Sequence, residues 1–140
     1  MLGGTLLIMY KDLSPGVKIS ISRSITTSFE QYMAKIKWDE KNFNLQDFAN
    51  DWREYITNHS SWYDKLDSDV KANPSFHADL AAKMNETIDK ILSEEPTAEQ
   101  IEEIESLQKD LGEEVDFSCK SEAKYLIDWL KKELKKKRNS

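Results

Sequence analysis

Tyr125, Trp129, Lys132 and Lys136 fall on one face of a helix when successive residues are turned by about 100 degrees, and Lys131, Lys135, Lys137 and Arg138 extend the same basic end. Aromatic rings stack on bases and cationic heads neutralise phosphates, so this combination is the chemistry of a single-strand binder. The same rings can instead be buried, docking the segment onto another apolar helix, because an exposed Trp requires a reason. Arg23 is the other candidate contact. It interrupts an apolar run, and either meets a phosphate or carboxylate or packs its stem at a sheet edge with its head in water.

Covalent chemistry has no comparable support. The chain holds no Gly-rich phosphate loop and no Gly-x-Ser-x-Gly elbow, and Cys119 has no local His partner. His59 and His77 lack any His-x-x-x-His, Cys-x-x-Cys or Glu-x-x-His spacing, so both are expected to be packed histidines without a metal. No enzyme activity and no cofactor are expected. The lone cysteine excludes an internal disulfide and fits a reducing compartment. The longest apolar run, Leu6 to Met9, is too short to span a bilayer, so a cytoplasmic protein is expected.

Charge sharpens the picture. With 20 Lys and Arg against 26 Asp and Glu in 140 residues, the net charge is -6, which argues against generic adhesion to nucleic acid. The acids concentrate between Glu94 and Asp116, where Lys109 is the sole base, and the bases concentrate from Lys131 to Arg138, where Glu133 is the sole acid. Acids at helix starts and bases at helix ends also suit the helix dipole.

The elements that must position these residues form a helical hairpin from Pro96 to Leu134. Thr97 with Gln100 reads as a capping box, and Gly112 supplies the left-handed residue that ends the first helix. Ile101, Ile104, Leu107 and Leu111 make one stripe, and Ala123, Leu126, Ile127, Leu130 and Leu134 make the stripe facing it. Pro96-Thr97, Gln100-Ile101, Leu107, Leu111-Gly112, Lys120, Glu122-Ala123 and Leu126-Ile127 together resemble a short helical hairpin that often closes bacteriophage single-strand-annealing recombination proteins. The resemblance implies a module, not a reaction. Cys119 stands where that module carries a capping Thr, so Ser118 is expected to take the cap and shift the helix start by one residue.

Upstream, Met9-Tyr10-Lys11 reads as an ordinary second start, and residues 1–13 are taken as an irregular N-terminus. Val17, Ile19, Ile21 and Ile25 alternate with polar residues, and so do Tyr32, Ala34, Ile36 and Trp38, the period of two half-buried strands. Ser22, Arg23, Ser24, Ile25 and Phe29 resemble a strand of small phage proteins that continue into a helix. Asn44 should cap a helix whose stripe runs Leu45, Phe48, Trp52, Tyr55, Ile56, Tyr63 and Leu66 and covers the hairpin's aromatic face. Asn73-Pro74 should open another, carrying Phe76, Leu80, Met84, Ile88 and Ile91.

The expected fold is therefore α+β: a small antiparallel β-hairpin and two helices over 14–93, then the helical hairpin with its basic tail over 94–140. The expected role is that of a non-enzymatic accessory protein of a phage or mobile element. Its partner would be single-stranded DNA or a recombination or replication protein. A second expectation is a soluble inhibitor that docks on a host or defence protein, its acids mimicking nucleic acid in the manner of anti-CRISPR proteins.

Overall fold

The structure, a computed structural model, describes residues 13–59 and 61–139. Most of the expected N-terminal segment, residues 1–12, lies outside the described residues. The described residues hold seven α-helices: α1 (Pro15–Lys35), α2 (Leu45–His59), α3 (Ser61–Asp64), α4 (Ser68–Lys71), α5 (Pro74–Ser93), α6 (Ala98–Leu111) and α7 (Lys120–Asn139). The chain divides into two compact units, Met1–Ile88 and Asp89–Ser140.

No strand occurs among the described residues, so the expected α+β fold with its β-hairpin is corrected to an all-α one. Residues 15–35 form a single helix instead. Ser14 caps it, its hydroxyl accepting from the Val17 N–H at 3.2 Å, and Pro15 occupies the first turn, where no backbone donor is missed. The buried positions are Ile21, Ser24, Ile25, Ser28, Phe29, Tyr32 and Met33, a helical repeat in which two serines sit inside the apolar stripe. The period of a strand comes from setting Val17, Ile19 and Ile21 against Lys18, Ser20 and Ser22, but Ile19 is exposed and Ser24 and Ser28 take buried places instead. Ser24 is satisfied locally, donating to the Ile21 carbonyl at 2.6 Å while accepting from the Trp52 indole N–H at 3.0 Å. Thr26 likewise donates to the Ser22 carbonyl at 3.0 Å.

Beyond the C-cap Ile36, the chain turns through Lys37 and Trp38, which take left-handed φ values of 57° and 55°. Neither is glycine, so tertiary contacts must hold this turn. Phe29 meets the ring of Trp38 edge-on at 6.1 Å, and the Tyr32 hydroxyl accepts from the Asn44 N–H at 3.0 Å beyond the turn.

Asn44 caps α2 by accepting from the Asp47 N–H at 3.0 Å. That helix buries Phe48, Trp52 and Ile56 and leaves Leu45 exposed. Phe48 packs edge-on against Phe29 and Tyr32 at 5.5 and 5.8 Å, so α1 and α2 join through aromatic rings. The expected run to Leu66 stops short: α3 ends at Asp64, and Leu66 lies in the bend before α4. Asn73 then accepts from the Ser75 and Phe76 N–H groups at 2.8 and 3.3 Å and opens α5.

Candidate functional site

The C-terminal hairpin is held by reciprocal polar contacts at its ends. Thr97 accepts from the Gln100 N–H and the Gln100 side chain accepts from the Thr97 N–H, both at 3.0 Å. The Gln100 amide also donates to the Lys120 carbonyl at 3.2 Å, tying the two helix starts together. Gly112, at φ 79°, ends α6 with its N–H on the Gln108 carbonyl at 2.8 Å, and the Gln108 side chain accepts from the Val115 N–H at 2.7 Å. At the start of α7 the Ser118 N–H and hydroxyl both donate to Glu122, at 2.8 and 3.3 Å. Ser118 is therefore a donor there and not the acceptor of a cap, and Glu122 reaches back from the first turn to the backbone ahead of the helix.

Between the helices Ile104, Ala123, Ile127 and Leu130 form a buried core, with Leu107, Leu111, Val115, Phe117, Leu126 and Trp129 packed around it. Ile101, expected in the facing stripe, is 38% exposed. Trp129 thus covers the hairpin's own core with part of its ring. Tyr125, one turn before Trp129, is half-buried, and burial raises its phenol pKa.

The basic end divides by partner. Lys131 reaches across to Glu103 of α6 at 2.9 Å, and the hydrogen bond and charge of that carboxylate raise its pKa. Lys137 donates to the Leu111 carbonyl at 3.3 Å, satisfying an end carbonyl of α6 where the helix dipole favours a cation. Lys136 pairs with Glu133 at 3.4 Å, an exposed contact one turn away that water or another anion can replace. Lys132, Lys135 and Arg138 are exposed and have no side-chain partner among the described residues. Glu102 and Glu105 of α6, with Glu113 and Glu114 just beyond its end, line an open groove of about 720 Å³ together with Lys109.

Arg23 belongs to the N-terminal unit, exposed on α1 and not at a sheet edge. It lines a shallow groove of about 600 Å³ with Lys18, Ser22, Thr26, Thr27 and Lys83. Sequence reasoning missed Lys18 and Lys83. On a helix, Lys18, Ser22 and Thr26 form one row at spacing four and Ile19, Arg23 and Thr27 the next, a signal hidden once this segment is read as a strand. His59 lies 5.2 Å from the Tyr55 ring, and His77 hydrogen-bonds the Lys71 carbonyl. Among the described residues no group of three or more His, Cys, Asp or Glu is placed to hold a metal ion, and no helix is long and apolar enough to cross a membrane.

Fold and geometry define a chain whose described residues are all-α and carry a charge-divided helical hairpin. No family model, curated protein or solved structure matches it.

Proposed function

We propose that this chain is a non-enzymatic accessory protein of a phage or similar mobile element, and that it binds single-stranded DNA along the C-terminal end of α7. The observation that carries the reading is the exposure of Lys132, Lys135 and Arg138 without acidic partners beside the weakly paired Lys136. Such a ridge can exchange solvent counterions for phosphates. With Trp129 packed partly on the hairpin core, the grip is mainly electrostatic and tolerant of sequence. The resemblance of the hairpin to the module closing single-strand-annealing proteins supports the same partner.

Fluorescence anisotropy with a labelled single-stranded oligonucleotide tests this. About three neutralised phosphates give a slope of log K against log salt of roughly -2. Charge reversal at Lys132, Lys135 and Arg138 together should remove binding while leaving the helical signal intact. Absence of binding at low salt would retire this reading. The acidic groove along α6 and the segment after it favours the alternative that then remains, an inhibitor presenting Glu102, Glu105, Glu113 and Glu114 to a nucleic-acid-binding protein.

A further inference from the structure

A cleft of about 210 Å³ lies between α2 and α5 in the N-terminal unit. Trp52, Ile56, Phe76 and Met84 form its apolar wall, each nearly removed from solvent. Trp52 is fixed in place by its hydrogen bond to Ser24 at 3.0 Å and by a tilted contact with Trp62 at 6.5 Å. The wall is therefore pre-formed.

The rim has the opposite character. Arg53, Lys71 and His77 line it, and no carboxylate does, although the chain carries more acids than bases. Lys71 holds its ammonium 4.4 Å over the Tyr63 ring, and the His77 ring hydrogen-bonds the Lys71 carbonyl, so the rim is braced around the opening. An apolar wall with a few convergent polar groups is the usual make-up of a small-molecule site.

Size narrows the ligand. An apolar cavity of about 150 Å³ accepts benzene, so 210 Å³ accommodates one ring with a short substituent or a fused pair of rings. We propose that this cleft binds a small aromatic monocarboxylate, its ring against Trp52, Phe76 and Met84 and its carboxylate facing Arg53 and Lys71. Arg53 offers a planar fork that matches a carboxylate, and Lys71 adds a point charge. The site is independent of the basic end of α7.

Calorimetric titration of the full chain with 2-naphthoate and with neutral 2-naphthalenemethanol tests the proposal. Saturable one-to-one binding of the acid is expected, at least about ten-fold tighter than the alcohol because charge-assisted hydrogen bonds are lost in the latter. Arg53→Gln with Lys71→Gln should bring the two probes to equal affinity, since neither side chain belongs to the apolar wall of Trp52, Ile56, Phe76 and Met84. Ala81→Phe, which fills the cleft from an exposed position of α5, should abolish both. No saturable binding up to millimolar probe, equal binding of acid and alcohol to the unaltered chain, or retained preference in the double variant would each overturn it.

Discussion

Helices α1 and α6 stop in the same backbone region by opposite means. Helix α6 ends on Gly112, for which φ 79° carries no side-chain penalty, while the turn that follows α1 runs through Lys37 and Trp38 at φ 57° and 55°, where a Cβ is crowded. The hairpin therefore encodes its turn locally, with the capping box, the glycine and the Glu122 contact all within a few residues of the ends they serve. The end of α1 depends on rings distant in sequence, Phe29 on Phe48 and Tyr32 on the Asn44 backbone. One region is specified by neighbours along the chain and the other by packing.

The largest expected effect follows from that dependence. Phe29, 1% exposed and in ring contact with Trp38, Phe43 and Phe48, should lose about 3 to 5 kcal/mol on replacement by Ala. Chemical denaturation followed by circular dichroism would show it, and a loss under about 1 kcal/mol would mean that ring packing does not hold α1. Next comes Gly112→Ala, which should lower the stability of the hairpin by about 1 to 2 kcal/mol because the left-handed conformation must be kept. A neutral result would show that the chain turns some other way. The smallest effect has the opposite sign: Lys37→Gly relieves crowding and gives up backbone entropy, for a net gain of up to about 1 kcal/mol. A thermal melt that shifts downward instead would indicate that the Lys37 side chain supports the turn.

This contrast also accounts for what could be read beforehand. Thr97, Gln100, Gly112 and Asn73-Pro74 mark helix ends through contacts spanning a few residues, so their type and spacing suffice. The strand reading of 17–38 set Ile19 on the same buried face as Ile21, whereas Ile19 is 52% exposed and the buried repeat runs through Ser24 and Ser28: only the Trp52 indole, 28 residues away, tells Ser24 apart from a solvent-facing serine. The same limit applies at the candidate site. Periodicity places Trp129 on the basic side of α7, but its packing on the core depends on the hairpin's geometry, as does the division of the cations between Glu103, the Leu111 carbonyl and solvent. Lys18 and Lys83 gather beside Arg23 only once α1 is a helix.

The direct test of the functional reading is to map where single-stranded DNA touches the protein, by titrating an oligonucleotide into isotopically labelled chain and following the backbone amide resonances. The account predicts that shifts concentrate between Tyr125 and Arg138 and are largest around Lys132, Lys135 and Arg138, with little change across α6. Shifts confined to the groove around Arg23, or none at low salt, would contradict it.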